Sequence, residues 1–381
     1  MDNPQSNNAL AIPGPTLSSS PSPTSSRASS RARASHEYAD AQTDARARDT
    51  DESSPLPAFL RQNRLDLHNK FIDLEWQQRE RLHLSDHSGD ATAQFARFKS
   101  DEVGARNRYL NVDPYKNNRI RLKVPEGHND YINASPIKLP PTAGGEDKYF
   151  IATQGPKSDS YSHIWRMIWD ETADPAVIVM LTQTHESGKE KCFQYFPLDA
   201  DDETLPINEH DEFGDGFTGT LTLKHLDEDK STRSIIRELE LRAADGRTKT
   251  VWHLLFGGWP DFLVPEGEDR AALVRLVRLS QQKNAAHPGS PRIVHCSAGV
   301  GRTGTFAALD WLLAELESGA LDDVGEEEDP IAELVDRLRQ QRMMMVQGDT
   351  QFVFLYDLLK ELWMERWKAR TGESAATVES S

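Results

Sequence analysis

PRIVHCSAGVGRTGTFAALDWLLAEL, from Pro291 to Leu316, decides the fold. A short apolar run of strand length meets the string HCSAGVGRTGT (His295–Thr305), and apolar residues at helical spacing then continue to Leu316. A strand that ends in a glycine-containing curl and feeds a helix aims several backbone N–H groups at one point. The helix N-terminus adds positive potential there, and Gly299 and Gly301 permit the dihedrals the curl needs. An anion the size of phosphate fits such a cradle, with the amides of Ser297, Ala298, Gly299, Val300 and Gly301 around it. Cys296 opens the loop, so its sulfur lies in the same field, which lowers its pKa and populates the nucleophilic thiolate. Arg302 closes the loop with a planar fork suited to two phosphate oxygens, and Thr303 is placed to hydrogen-bond the thiolate or help it depart. A cysteine and an arginine five residues apart are weak evidence alone. The full string on a strand, loop and helix outweighs a structural cysteine before a glycine turn.

Upstream, Val177–Leu181 (VIVML) is wholly apolar and reads as a buried strand. TGTLTLKHL, RSIIRELEL and TKTVWHLLF, beginning at Thr218, Arg233 and Thr248, read as an antiparallel meander. Helical spacing recurs in Phe59–Leu84, with an imperfect face, and in SYSHIWRMIWDE, where Ser160 or Asp159 is available as cap. AALVRLVRLSQQ, IAELVDRLRQQR and TQFVFLYDLLKELWMERW are further helices. Together these predict a mixed α/β domain: a strongly twisted mixed sheet with helices on both faces, spanning 56–368. Residues 1–55, rich in Ser, Pro, Ala and Arg, hold too little apolar surface to offset their ordering entropy, so a disordered tail is expected. Its Ser-Pro pairs at Ser20, Ser22 and Ser54 are candidate kinase sites, an inert tail being the equal alternative. Residues 369–381 read as a short flexible tail.

The chain has 381 residues and a formal charge of −17, from 44 Lys and Arg against 61 Asp and Glu. Bulk charge therefore offers no attraction to nucleic acid or an anionic membrane. Two distant cysteines, Cys192 and Cys296, exclude a disulfide framework and a four-cysteine zinc site and fit a reducing compartment. No signal peptide, membrane-spanning run or metal-ligand cluster is visible, and a cytoplasmic monomer without cofactor or metal, with nuclear access open, is expected. Acidic runs at Asp199–Asp215 and Asp322–Asp329 read as solvated loops, the sharper alternative being a docking surface for a basic partner.

Beyond the Cys296 loop, several separated motifs across Phe59–Trp367 resemble the phosphotyrosine-specific, cysteine-dependent protein tyrosine phosphatases of the non-receptor type. GGWPDF is similar to that family's mobile acid loop. The resemblance makes Trp259 and Pro260 its supports and Asp261 the general acid, which later serves as base toward water. NRYLNV, Asn107 to Val112, resembles the phosphotyrosine-recognition loop, in which Tyr109 stacks on the substrate ring and sets a pocket too deep for phosphoserine. Asn111 stands where many relatives have Asp, so peptide orientation is held without that charge. Glu186 resembles the residue that orients the catalytic arginine, and Lys191 the one that orients the acid loop. Gln347 and Gln351 resemble the glutamines that position the hydrolytic water, and Met344 stands beside the pocket where some relatives have Gly. DYINAS (Asp130–Ser135) and FIATQGP (Phe150–Pro156) are read as scaffold, Cys192 as a buried core thiol. His295 is read as orienting the loop or tuning the sulfur rather than as a base.

The resemblance implies hydrolysis of phosphotyrosine in proteins, kinases among them, through a phosphocysteine. A phosphoinositide or dual-specificity phosphatase is the alternative enzyme. Lipid phosphatases of this superfamily commonly carry lysines inside the loop, and Ser297–Gly301 has none. An inert phosphotyrosine-binding module is the non-enzyme alternative, disfavoured because acid, cysteine and arginine are all present.

Overall fold

The computed structural model describes residues 54–198, 204–260 and 263–372. The expected N-terminal tail lies outside these residues except for Ser54 and Pro55, as do Asp261 and the start of the first acidic run. The architecture is the mixed α/β sheet the sequence predicts. Its strands are β1 (Ala134–Leu139), β2 (Lys148–Thr153), β3 (Ala176–Met180), β6 (Thr204–Ile207), β7 (Gly219–Asp229), β8 (Ser234–Ala243), β9 (Thr248–Phe256) and β10 (Arg292–His295). A two-residue pair, β4 (His185–Glu186) and β5 (Lys189–Glu190), stands apart. The sheet order is β1-β2-β10-β3-β9-β8-β7-β6. The last strand in sequence thus sits in the middle, parallel to both neighbours: Val294 lies opposite Ala152 on one side and Val179 on the other. Antiparallel strands extend the sheet on both sides, including the expected meander β7-β8-β9.

The strand β3 shows why this sheet must be covered twice. All five of its residues are buried. Val177 and Val179 point into a core shared with Phe306, Leu312, Leu338 and Phe352. Ile178 and Met180 point the other way, into a second core with Ile164, Trp165 and Ile168. A strand with apolar neighbours on both faces reads as a continuous apolar run, because alternation is lost when neither side meets water. Helices α1 (Arg64–Ser88), α4 (Glu268–Lys283), α5 (Gly301–Ser318), α6 (Pro330–Gln341) and α7 (Asp349–Thr371) contribute to the first core, and α3 (Tyr161–Glu171) to the second. A short helix, α2 (Asp101–Arg106), precedes the Tyr109 segment.

Local chemistry fixes the helix ends. Asp329 accepts a hydrogen bond from the Ala332 amide at 3.1 Å, and Pro330 follows it at the start of α6. Asn63 caps α1 through the Asp66 amide at 2.9 Å. The first helix begins at Arg64, after a single 3-10 turn at Ala58–Leu60, rather than at Phe59. It buries only Leu67, Phe71, Leu74 and Gln78 and leaves Ile72 and Trp76 exposed, which explains the imperfect periodicity. Ser160 precedes α3 but its hydroxyl bonds Asp159 instead of capping the helix. Helix α7 continues to Thr371, three residues past the expected domain end, and Trp363 Nε1 donates to the Pro55 carbonyl at 2.9 Å.

The acidic runs are not merely solvated. Asp322 pairs with Arg366 and Arg370, Asp329 with Lys70, Glu212 with Arg106 and His163, and Asp215 with Arg166. Among the described residues no helix is long and apolar enough to cross a membrane, and no three His, Cys, Asp or Glu side chains are grouped to hold a metal.

Candidate active site

The Cys296 loop lies at the carboxyl ends of the parallel strands β2, β10 and β3, where open α/β sheets leave their crevice. Close packing shapes it. Gly299 has φ +71°, and a Cβ there would stand 2.1 Å from the Thr153 carbonyl oxygen, so only glycine fits. Gly304, in the first turn of α5, lets the segment before Gln347 approach equally closely: a Cβ would meet the Val346 amide at 2.4 Å. The Val346 amide donates to the Val300 carbonyl at 3.2 Å, joining the two loops.

Cys296 is 5 % exposed. Burial by itself pushes its thiol up. The Thr303 hydroxyl, the Arg302 charge and the Thr303 and Gly299 amides outweigh that, and the net shift is down. The Gly299 amide donates to Sγ at 3.3 Å. Thr303 Oγ1 is buried and makes no hydrogen bond of ordinary geometry, so a rotation of its hydroxyl onto the thiolate is the way it finds an acceptor. Cys192 is the opposite case: fully buried, its thiol is pushed up, so it is inert.

Arg302 is held in a fork-to-fork pair with Glu186, at 2.6 and 2.9 Å, and donates also to the Leu181 carbonyl at 3.0 Å. Burial pushes the Glu186 carboxyl up, but Arg302, Thr182 and the Gln183 amide bring it below its ordinary value. His295 is fully buried, and burial pulls it down to about 4, so the ring is neutral. Its Nδ1 lies 3.1 Å from the Cys296 carbonyl oxygen, which only an N–H can satisfy, leaving Nε2 to accept from the Tyr195 hydroxyl at 2.6 Å. A neutral, doubly tied imidazole sets the loop's backbone and has no free nitrogen for proton transfer.

A cavity of about 270 Å³ opens over the sulfur, lined by Tyr109, Asn111, Val112, Glu186, Lys191, Cys296, Ser297, Ala298, Gly301, Arg302, Gln347 and Gln351. Residues from four separate motifs thus meet at one opening. The Tyr109 hydroxyl donates to Ser297 Oγ at 2.8 Å, and the Ser297 hydroxyl donates in turn to the Lys191 carbonyl at 2.8 Å, tying the Tyr109 segment to the Cys296 loop. Gln351 Oε1 accepts the Gln347 and Gly348 amides at 3.1 and 3.3 Å and lies against Gly301. Gly299, Val300, Thr303 and His295 do not line the opening; the Val300 side chain is in the core and Thr303 is buried. Trp259 is buried, with Nε1 donating to the Leu263 carbonyl at 3.0 Å, and neither it nor Pro260 lines the cavity. Asp261 lies outside the described residues.

Sequence reasoning missed Arg342. It is fully buried and donates to the Gly299 carbonyl at 2.8 Å, the Ala298 carbonyl at 3.1 Å, Asn133 Oδ1 at 2.7 Å and Ser135 Oγ at 3.2 Å. By holding two loop carbonyls below, it turns the amides toward the cavity. All four acceptors are neutral, and burial pulls its guanidinium down to about 10. Its only sequence signal was its place just after a helix, which reads as a helix C-terminus. The scaffold motifs also do more than pack: Asn133 holds Arg342 and the Val112 carbonyl, and Gln154 bridges Arg106 and Arg108.

The protein-tyrosine phosphatase family model matches residues 104–361. Tyrosine-protein phosphatase 1 of Saccharomyces cerevisiae is 37% identical over 330 residues, covering 80% of this chain and 97% of that protein. The phosphatidylinositol phosphatase PTPRQ of Rattus norvegicus is 35% identical over 325 residues, covering 84% of this chain but 11% of that protein. Among solved structures, the catalytic domain of human protein tyrosine phosphatase non-receptor type 18 superposes with a TM-score of 0.62 at 25% identity, over 78% of this chain and 96% of that one.

Proposed function

The chain belongs to the protein-tyrosine phosphatase family and is an enzyme of that kind, and from this we propose that it removes phosphate from tyrosine in proteins through a phosphocysteine on Cys296. In the first step the Cys296 thiolate attacks phosphorus in line and the bond to the tyrosine oxygen breaks. Loop amides from Ser297 to Gly301 and the Arg302 fork hold the three equatorial oxygens as their charge grows. Asp261 gives its proton to the leaving tyrosine oxygen. In the second step water, held by Gln347 and Gln351, passes a proton to Asp261 and attacks phosphorus. The sulfur–phosphorus bond breaks, Thr303 stabilises the returning thiolate, and inorganic phosphate leaves. Tyr109 flanks the substrate ring, Asn111 contacts its backbone, and Lys191, Trp259 and Pro260 support the acid loop. We assign 56–368 as the catalytic domain, acting as a cytoplasmic monomer in signalling on tyrosine-phosphorylated proteins, kinases among them.

One observation carries this reading. A buried thiol, which burial should raise, is shifted down at the floor of an opening that also presents a carboxylate-locked arginine. The assignment of Asp261 rests on the Trp-Pro-Asp resemblance alone. The similarity to a phosphatidylinositol phosphatase favours a second reading, with an inositol lipid as substrate. Phosphate release from matched phosphotyrosine and phosphoserine peptides and from a phosphoinositide, by wild type and Cys296→Ser, separates them. Release from the phosphotyrosine peptide alone, lost in the variant, supports the reading; faster release from the lipid replaces it with the second.

A further inference from the structure

We infer that Glu212 and Phe213, in the acidic run between β6 and β7, are positioning residues for the substrate-recognition loop that carries Tyr109. The inference rests on the role proposed above for that loop. Phe213 is a large apolar residue flanked by acids, and it is 5 % exposed. Its ring is wedged between the Arg166 guanidinium at 5.0 Å, the Arg106 guanidinium at 5.9 Å and the imidazoles of His163 and His128 at 5.6 and 5.7 Å. The neighbouring Glu212 carboxylate divides its oxygens. Oε1 accepts from Arg106 at 3.3 Å, and Oε2 meets His163 Nε2 at 2.7 Å.

Arg106 is the point where this clamp reaches the site. It is the last residue of α2, and the recognition segment starts at the next position. Its guanidinium also donates to the Asn129 and Tyr131 carbonyls at 2.9 and 2.7 Å. Its own carbonyl accepts from Gln154 Nε2 at 2.9 Å, and Gln154 Oε1 accepts the Arg108 amide at 2.8 Å. The residue before Tyr109 is thereby fixed through Gln154 and Arg106. Of the two, Arg106 depends on Glu212 for its carboxylate and on Phe213 for its packing. A cavity of about 20 Å³ lies among Arg106, Asn133, Gln154 and His163, room for roughly one water. When the clamp is removed, Arg106 has somewhere to move, and the loop start moves with it.

The same acidic run supplies its own control. Asp215 grips Arg166 with both oxygens at 2.7 Å, and no hydrogen bond links it to Arg106. If the run only stabilises the fold, losing Glu212 or Asp215 should have the same consequence.

The test measures kcat, KM and Tm with a phosphotyrosyl peptide for wild type, Glu212→Gln, Phe213→Leu, Asp215→Asn and Tyr109→Ala. The expected result is that Glu212→Gln and Phe213→Leu raise KM by about threefold to tenfold with kcat within about twofold, since ring and peptide are held less well while the Cys296 loop is untouched. Asp215→Asn lowers Tm and, reaching Arg106 only through Arg166 against the Phe213 ring, raises KM less than Glu212→Gln does. Phe213→Leu keeps the question open to measurement if Glu212→Gln does not fold. Unchanged KM in both clamp variants, beside a raised KM in Tyr109→Ala, overturns the positioning role. An equal rise in KM for Asp215→Asn overturns it too, by reducing it to general stability. Unchanged KM in Tyr109→Ala overturns instead the recognition role on which the inference stands.

Discussion

Replacing Arg342 with Met tests whether the active-site loop is held from beneath. Met roughly keeps the volume and removes the charge and every donor. Four buried acceptors are then left without their partner: the Ala298 and Gly299 carbonyls, Asn133 Oδ1 and Ser135 Oγ. At about 1 kcal/mol or more for each unsatisfied buried acceptor, the loss is roughly 4 kcal/mol. Relief from burying a guanidinium without a carboxylate offsets about 1 kcal/mol of this. The net cost of about 3 kcal/mol lowers Tm by roughly 4 to 5 °C in a domain of this size. The chemistry suffers more than the fold. Freed carbonyls no longer hold the amides toward the cavity, and removing a nearby cation raises the Cys296 pKa. Thermal unfolding measures the first effect, and the pH dependence of iodoacetamide alkylation at Cys296 measures the second, its midpoint moving to higher pH. Arg342→Lys keeps the charge with fewer donors and should fall between. If Arg342→Met unfolds within about 1 °C of wild type and alkylates with the same pH profile, the loop is not held by Arg342 and the reasoning fails.

Two other outcomes follow from the same geometry. Burial holds His295 at about 4 in the folded state against 6.5 for the free side chain, so between those values the unfolded chain binds the extra proton. Stability should therefore fall as pH drops from 6.5 towards 4, by roughly 3 kcal/mol from this residue. Urea unfolding across that range should show a slope to which the buried His253, also held down by desolvation, contributes, and His295→Gln should reduce it; an unchanged slope assigns the effect elsewhere. Gly299→Ala must place a Cβ 2.1 Å from the Thr153 carbonyl oxygen at φ +71°. It should cost at least about 2 kcal/mol and most of the activity, whereas a variant with wild-type turnover and Tm would mean that the loop adopts another shape.

The parts of this site that were legible in the sequence are those in which chemistry is contiguous. His295–Thr305 carries nucleophile, amides and arginine in one string, because a strand, a tight loop and a helix must follow one another to make an anion cradle. The buried strand at Val177–Leu181 and the meander were legible because burial on two faces, or one, leaves a direct mark on the apolar pattern. The position of β10 between β2 and β3 left no such mark, since strand order is a tertiary choice. Arg342, Asn133 and Gln154 act across the fold, and each is a polar residue whose importance comes only from what it meets. The acidic run between β6 and β7 looked like a solvated loop because charge dominates its composition. Phe213 was the sign that it docks, an apolar ring with no reason to be there unless it is buried.

The central claim is a covalent bond between phosphorus and one sulfur. Rapid acid quench of the enzyme with a phosphotyrosyl peptide labelled in its phosphate should leave label on the protein during turnover. Digestion should locate it at Cys296, and Cys296→Ser should retain none. Rapid turnover with no label on the protein at any quench time, or label retained by Cys296→Ser, would contradict the account.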